Sequence, residues 1–146
     1  MKVRDILSQR QKQPLCVRPQ QKVKEAIAVM VQHNVGAVLV CSEHGQLQGI
    51  FTERDILQLA HKDPHGFTEL PVEQVMTKNP IIARLDDDIQ YVEQVMAQNR
   101  VRHLPIFDGQ TLVSLISIRD VIHAKLQDAQ VEKRHLMDYI TGKYPA

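Results

Sequence analysis

The sequence contains an internal duplication, and this feature restricts the possible folds more than any other. The matching stretches keep the same order in both halves, with an offset of 65 to 69 residues between partners. The matched pairs are residues 3–7 with 72–76, residues 23–30 with 89–96, and residues 49–55 with 114–120. One copy is about 60 residues long, near the lower limit for an independent hydrophobic core. We therefore expect the two copies to pack on each other about a pseudo-twofold axis.

Hydrophobic periodicity changes in the same order within each copy. A short strand is followed by an amphipathic helix, two strands joined by a tight turn, and a second helix. This predicts an α/β fold of the α+β type, built from two β-α-β-β-α repeats, each with a three-stranded sheet. Pro105 lacks an amide hydrogen and is therefore expected at a strand start or on an edge strand. The first strands are predicted around Cys16-Val17 and Ile81-Ile82, and the second helices from about Glu53 to His61 and from about Ile118 to Asp128.

These patterns divide the chain into three parts. Residues 1–65 form the first repeat with an N-terminal helix, residues 66–128 form the second repeat, and residues 129–146 form a helical tail. Proline and glycine mark a linker over residues 61–71. Apolar residues beyond Gln130 predict one more helix, which Gly142 and Pro145 end.

Composition limits the classes of partner. Eighteen Lys and Arg against seventeen Asp and Glu give a net charge of +1, so neither nucleic acid nor an anionic membrane is expected as a partner. The two cysteines, Cys16 and Cys41, are not spaced as a CxxC motif and do not form a disulfide framework. This cysteine usage fits a reducing cytoplasm, so a cytoplasmic protein is expected. No apolar run approaches the roughly 20 residues of a membrane span, so no transmembrane helix is expected.

The most informative motif is Thr52-Glu53-Arg54-Asp55, which recurs as Ser117-Ile118-Arg119-Asp120 between a predicted strand and a predicted helix. A helix amino terminus attracts anions, a guanidinium binds phosphate, and a carboxylate accepts hydrogen bonds from a ribose diol. Together these groups are typical of a nucleotide-binding turn. The same spacing fits a capping box, in which hydroxyl and acid only satisfy amides of the first helical turn. The recurring arginine favours binding, because capping does not need it.

Other candidate groups are weaker. Seven histidines do not form a metal-binding pattern, and the three acids at residues 86–88 are expected at a helix start on dipole grounds, so no metal site is predicted. The sequence also contains no recognisable nucleophile or catalytic motif, so no enzyme is predicted. Arg100, Arg102 and His103 precede a strand, where they could face the phosphates of a nucleotide or remain solvated loop residues.

Two motifs occur in the same order in each copy, which gives four matching segments. They are Val-Gly-Ala-Val-Leu-Val after Met30, Gly-Ile-Phe-Thr-Glu-Arg-Asp from Gly49, Arg-His-Leu-Pro-Ile from Arg102, and Leu-Ile-Ser-Ile-Arg-Asp-Val-Ile from Leu115. With them, residues 2 to 128 resemble the tandem CBS-domain pair, or Bateman module. Residues 136–142 are similar to the tail of small bacterial stand-alone proteins of this family.

The resemblance implies a regulatory module that binds an adenosyl ligand, commonly AMP, ADP or ATP, sometimes NAD or S-adenosylmethionine. By position, Asp55 and Asp120 would hold ribose hydroxyls, and Arg102 and His103 would face the ligand. The other implied contacts are Thr52 and Ser117 at ribose or phosphate, Arg54 and Arg119 near phosphate, Cys16, Val17, Val38 and Leu39 around adenine in one cleft, and Ile82, Ala83, Leu104 and Pro105 in the other. Such pairs usually form flat dimers, so a symmetric homodimer and an unidentified regulated protein are the implied partners.

Two residues depart from the family pattern. Ser114 replaces the glycine present at Gly49, which predicts a tighter or blocked backbone approach in that cleft. Leu39 replaces the proline present at Pro105, so the two clefts are not expected to be equivalent. The sequence thus favours a non-catalytic nucleotide sensor. The alternatives are a ligand-free dimerisation module, in which the repeated motifs only cap helices, and a nucleotide hydrolase, which the missing catalytic groups disfavour.

Overall fold

The structure is a computed structural model that describes residues 1–8 and 13–142. In this part of the chain the fold has two sheets and five α-helices. The first half contains α1 (Val3–Leu7), β1 (Cys16–Val17), α2 (Val23–His33), β2 (Ala37–Cys41), β3 (Leu47–Thr52) and α3 (Glu53–Lys62). Two 3₁₀ turns (Phe67–Glu69, Val72–Gln74) and β4 (Thr77–Lys78) follow, then β5 (Ala83–Arg84), α4 (Ile89–Asn99), β6 (His103–Asp108), β7 (Thr111–Ser117) and α5 (Ile118–Ile140).

The two sheets repeat one topology, which confirms the predicted fold class. In the first sheet β1 is parallel to β2, and β2 is antiparallel to β3. In the second, β5 is parallel to β6, and β6 is antiparallel to β7. Each β-α-β-β-α unit therefore has the same strand order, in which the first hairpin strand lies between a two-residue strand and the second hairpin strand.

Several local predictions need correction. The first strand of the second repeat is Ala83–Arg84, two residues later than the predicted Ile81-Ile82. The first sheet has four strands, because β4 pairs with β3. The predicted C-terminal helix is present as the continuation of α5, since no glycine or proline interrupts the chain before Ile140. Pro145, its predicted stop, lies outside the described residues, as does the end of the tail, residues 143–146.

Pro105 lies in β6, the central strand of its sheet, and not at a strand start or edge as predicted. It pairs with Leu115 of β7 on one side. On the other side β5 begins its pairing only at Ile106, one residue further on. A proline is tolerated there because the short neighbouring strand does not reach the position of its missing N–H.

The core consists of three apolar clusters. One lies in each repeat, around Phe51 in the first and around Leu104 in the second. The third joins the repeats, because Leu39 and Ile50 of the first sheet pack with Leu115 of the second. Leu39 is fully buried in it. Burial of this apolar face stabilises the pair as a unit.

The short segments that open each repeat are exchanged between the two halves. The Val3 N–H donates to the Asp87 carbonyl at 3.0 Å, and the Val72 N–H donates to the Gln21 carbonyl at 2.8 Å. Val3 is buried in the core of the second repeat, and Val72 in the core of the first. Arg4 adds an ion pair with Asp86 at 2.9 Å. Segments next to one repeat in sequence thus complete the core of the other.

Within residues 1–8 and 13–142, none of the helices combines the length and the apolar character needed to cross a bilayer.

Gly49 is required by strand packing. A Cβ placed on Gly49 would lie 2.7 Å from the Thr77 carbonyl oxygen and 2.6 Å from Sδ of Met76, both next to or in β4. Ser114, its counterpart in β7, lies on an edge strand of the three-stranded sheet. The glycine at position 49 therefore allows the close β3–β4 contact.

We expect Gly49→Ala to destabilise the fold by about 1–3 kcal/mol, because the added methyl group must displace backbone of β4. Urea denaturation measures the change in unfolding free energy. Ser114→Ala is the matched control and should alter that free energy by less than about 1 kcal/mol. Equal effects of the two substitutions would contradict this explanation.

Candidate functional site

Both Thr/Ser-x-x-Asp motifs form capping boxes. At the start of α3 the Thr52 hydroxyl accepts from the Asp55 N–H, and Oδ2 of Asp55 accepts from the Thr52 N–H at 2.9 Å. At the start of α5 the Ser117 hydroxyl accepts from the Asp120 N–H at 3.2 Å, and Oδ2 of Asp120 accepts from the Ser117 N–H at 2.8 Å. The structural interpretation of the motif is therefore confirmed at both positions.

The cap does not use all the hydrogen-bond acceptor positions of the Asp55 carboxylate. An ionised carboxylate has about four acceptor positions. The Thr52 amide and hydroxyl both donate to Oδ2, and the Thr77 side chain also forms a hydrogen bond with this carboxylate. One further hydroxyl can therefore be accepted without breaking the cap. The cap also fixes the orientation of the acid.

Asp55 lies in a cavity of about 620 Å³ between the two repeats. A volume of this size is in the range of small-molecule sites. The first repeat supplies the start of α3, and the second supplies the loops before β5 and β6. The lining residues are Gly36, Ile50, Thr52, Glu53, Arg54, Asp55, Leu57, Gln58, Thr77, Asn79, Pro80, Ile81, Asn99, Arg100, Val101, Arg102, His103 and Leu104. We call this cavity the Asp55 cleft.

Arg54 bridges the two repeats across this cleft. Its guanidinium donates to the Arg100 carbonyl at 3.1 Å. Arg100 is the C-cap of α4 and has a left-handed backbone, with φ at 53°. Its counterpart in the first repeat, Asn34, has the same φ but is a residue type that adopts this conformation more readily. The second repeat therefore carries a long cation at a backbone position where a shorter amide would be easier to accommodate.

The two repeats differ in one strand-to-strand hydrogen bond at the cleft. In the first repeat the Leu39 N–H donates to the Leu15 carbonyl at 3.0 Å. The matching positions of the second repeat are Pro105 and Ile81, and a proline has no N–H to donate. The Ile81 carbonyl therefore does not receive the bond that Leu15 receives. Ile81 is one of the residues that line the cleft.

Burial raises the pKa of Asp55, although the Thr52 and Thr77 hydrogen bonds and the Arg54 charge oppose the increase. Burial also lowers the pKa of His103; the Glu53 and Asp120 carboxylates counteract this effect, and the Arg102 charge adds to it. The cleft therefore holds a desolvated acid and a desolvated imidazole.

The structure brings six of the predicted site residues together in the Asp55 cleft: Thr52, Arg54, Asp55, Arg102, His103 and Leu104. Asp120 instead lines a separate groove between α1 and α5, beside Asp5, Ile6 and His123. Val17, Val38, Leu39, Ala83 and Pro105 are buried in the sheets, Ile82 is half-buried, and Cys16, Ser117 and Arg119 lie outside the Asp55 cleft.

Sequence reasoning missed Asn79, Pro80, Ile81 and Asn99. Their signal was weak, since Asn79-Pro80 is a common turn pair. Gly36 was missed as well, although it lies in one of the motifs that carry the family resemblance. Among the described residues, no group of three or more His, Cys, Asp and Glu side chains could hold a metal ion.

Comparison with known proteins gives a consistent family. A family model described as CBS domain matches residues 3–62 and 72–127. The CBS domain-containing protein YhcV of Bacillus subtilis is 38% identical over 106 residues, covering 72% of this chain and 74% of that protein. The mitochondrial CBS domain-containing protein CBSX3 of Arabidopsis thaliana is 32% identical over 126 residues, covering 84% of this chain. The chain spans only 61% of the length of CBSX3.

Two solved structures show the same architecture. The CBS-domain containing protein ATU1752 from Agrobacterium tumefaciens is 30% identical, with a TM-score of 0.82 over 85% of this chain and 92% of that one. The CBS domain pair of protein MJ0100 is 26% identical, with a TM-score of 0.75 over 85% of this chain and 98% of that one. That structure is a complex with 5-methylthioadenosine and S-adenosyl-L-methionine.

His103 should remain neutral in the folded protein at pH values where an exposed histidine takes up a proton, because burial penalises the imidazolium. The unfolded chain protonates near the ordinary value of about 6.5. Stability should therefore fall as the pH drops through that value. Urea denaturation at about pH 7 and about pH 5 measures the loss, which should be smaller in His103→Gln. An NMR titration that places the His103 pKa above its ordinary value would contradict this expectation.

Proposed function

The chain belongs to the CBS-domain family, and on this premise we propose that it is a non-catalytic regulatory module that binds one adenosine-containing ligand in the Asp55 cleft. The observation that carries the proposal is the composition of this cleft. It joins a capped, oriented carboxylate from one repeat to a basic loop of the other and to Ile81, whose carbonyl lacks the strand hydrogen bond that its counterpart Leu15 receives. The proposal includes a cytoplasmic location, based on cysteine usage and composition.

Each part of an adenosine nucleotide has a suitable group in the cleft. Asp55 is suited to a ribose hydroxyl, since a carboxylate accepts from a diol. The Ile81 carbonyl is suited to the adenine amino group, because its usual strand partner is replaced by Pro105. Arg100 and Arg102 are suited to phosphate, since guanidinium groups bind phosphate oxygens in a bidentate manner.

The two clefts of the pair are not chemically equivalent. Asn34 and Gly36 occupy the positions that match Arg100 and Arg102, so the cleft next to Asp120 lacks this basic group. Leu39 also retains the hydrogen bond to the Leu15 carbonyl. We therefore place the phosphate-bearing ligand at Asp55, and treat a site formed by Ser117, Arg119 and Asp120 with Cys16, Val17, Val38 and Leu39 as a second, weaker one.

The complex of MJ0100 supports an adenosyl ligand as a class for this fold. The basic loop favours AMP, ADP, ATP or NAD over an uncharged nucleoside, since phosphate is the group that these arginines recognise. Regulation would be a population shift, because a ligand that touches both repeats stabilises one relative orientation of them. A partner protein that binds this orientation more tightly would then bind the ligand-loaded protein with higher affinity.

The proposal includes a homodimer. Leu57 of α3 and Ile122 of α5 occupy equivalent positions in the two repeats, and both are exposed, at 72% and 51%. Leu126 is 58% exposed one turn further along α5. Paired exposed apolar residues on two equivalent helices form a surface that a symmetric second copy can cover.

Asp55→Asn should weaken binding of AMP at least about tenfold, because the neutral amide loses the charge-assisted hydrogen bond to ribose. Isothermal titration calorimetry of nucleotide-stripped protein measures this, with ADP, ATP, NAD and S-adenosylmethionine as further ligands. Asp120→Asn is the matched control, because it removes the same capping carboxylate from the other repeat. It should leave the affinity of the Asp55 cleft within about threefold of wild type.

Binding by Asp55→Asn at wild-type strength would show that the cleft is assigned wrongly. A protein whose melting temperature no adenine nucleotide raises would instead be the ligand-free dimerisation module. In that case both substitutions should only weaken the helix caps, and each should lower the free energy of unfolding by about 1 kcal/mol. Turnover of ATP or NAD during the titration would indicate a hydrolase.

Sedimentation equilibrium should give twice the chain mass of 16.7 kDa. Ile122→Glu should shift the protein toward the monomer, because burial of an unpaired carboxylate in an apolar interface is unfavourable. Gln48→Glu on the exposed side of β3 introduces the same charge elsewhere and should leave the dimer intact. A wild-type monomer at tens of micromolar would refute this part of the proposal.

A further inference from the structure

The two cysteines, which are far apart in sequence, meet in the fold. Cys16 lies in β1 and Cys41 is the last residue of β2, and these strands are parallel neighbours. Their sulfur atoms are 3.1 Å apart, and both thiols are free. They are the only cysteines of the chain, so any reaction between them can be followed without interference from other thiols.

The two thiols have different surroundings. Cys16 is exposed on an edge strand, whereas Cys41 is 2% exposed and packs in the apolar cluster that joins the repeats. The Cys41 thiol donates to the Cys16 sulfur. The guanidinium of Arg18 donates to the carbonyl of Ser42, the residue after Cys41. From this position its positive charge acts on both thiols. An accessible sulfur with a thiol donor and a cation beside it is the pattern of a reactive cysteine.

Electrostatics favour the same assignment. The hydrogen bond from Cys41 lowers the pKa of Cys16 to about 7, with burial opposing and the Arg18 charge assisting. The hydrogen bond to Cys16, burial and the charge on Cys16 raise the pKa of Cys41. Near neutral pH a substantial fraction of Cys16 is therefore thiolate, while Cys41 keeps its proton. Cys16 is the nucleophile of the pair, and Cys41 is the resolving thiol.

We propose that Cys16 and Cys41 form a redox-active pair that a hydroperoxide converts into a reversible intramolecular disulfide. With hydrogen peroxide as the oxidant, the Cys16 thiolate attacks one peroxide oxygen, an S–O bond forms, the O–O bond breaks, and the leaving hydroxide takes up a proton to become water. The Cys41 sulfur then attacks the sulfenic sulfur. An S–S bond forms, the S–O bond breaks, and the Cys41 proton leaves with the hydroxide as a second water. With hydrogen peroxide, two thiols are oxidised and one peroxide is reduced to two waters.

Closure of this bond needs little movement. A disulfide bond is about 2.05 Å long, so the sulfur atoms must approach by about 1 Å. The strand that carries Cys16 has only two residues and lies at the edge of its sheet, where it pairs on one side alone. Cys41 is held by the central strand β2. The edge strand can therefore adjust toward a fixed partner. This inference does not depend on nucleotide binding, because it rests on the two thiols and Arg18.

The test uses the full chain, reduced and then exposed to graded hydrogen peroxide. We expect both free thiols to disappear together, the monomer mass to fall by about 2 Da, and dithiothreitol to restore both. Non-reducing electrophoresis should show a monomer. Loss of thiols only through links between chains, or oxidation of the monomer without the mass of a disulfide, would overturn the proposal.

Two matched variants assign the roles. In Cys41→Ser, Cys16 should accumulate a sulfenic acid that dimedone labels, because the resolving thiol is absent. In Cys16→Ser, the remaining thiol should react with peroxide at least about tenfold more slowly, because it is buried and protonated. Equal rates for the two variants would overturn the assignment of Cys16 as the nucleophile. The mass of the oxidised protein is measured on the wild type. A folding defect in either variant therefore does not affect the test for the disulfide itself.

Discussion

The exchange of opening segments between the two repeats is the constraint on which the rest of the structure depends. A copy of about 60 residues has too little interior to be stable alone. Each copy therefore gains a buried valine from the other half, Val3 in the second core and Val72 in the first. Backbone hydrogen bonds to Asp87 and Gln21 fix both segments at equivalent positions. The repeats cannot separate without opening both cores, and the Asp55 cleft is the space that this arrangement leaves between them.

Within that cleft, stability and recognition use the same atoms. The Thr52 and Asp55 side chains cap α3, and the cap holds the carboxylate toward the cavity. Capping and ligand binding were competing interpretations of one motif, yet a carboxylate has enough acceptor positions for both. Ser117 and Asp120 make the same cap, but no matching arginines precede β2. The difference between the clefts therefore comes from the partner loop rather than from the motif.

The sequence predicted the elements that depend on local pattern. The duplication, the order β-α-β-β-α and the helix starts at Glu53 and Ile118 follow from periodicity and from capping chemistry, and the structure confirms them. Short edge strands were harder to predict from the sequence, since two residues leave almost no periodic signal. For that reason the strand at Ala83 was placed two residues early and the strand at Thr77 was missed. Pro105 was misplaced because its neighbouring strand is too short to need the missing N–H.

The sequence by itself determined that two copies of one unit must share a core, and it identified the Thr52–Asp55 turn as the chemically distinctive segment. Both conclusions rest on residues close together in the chain, where spacing fixes geometry. Only the tertiary structure decided that the opening segments are exchanged, that Arg100 and Ile81 line the same cleft as Asp55, and that Cys16 meets Cys41. Those contacts join residues 25 or more positions apart, and their geometry is set by how sheets and helices pack rather than by any local pattern.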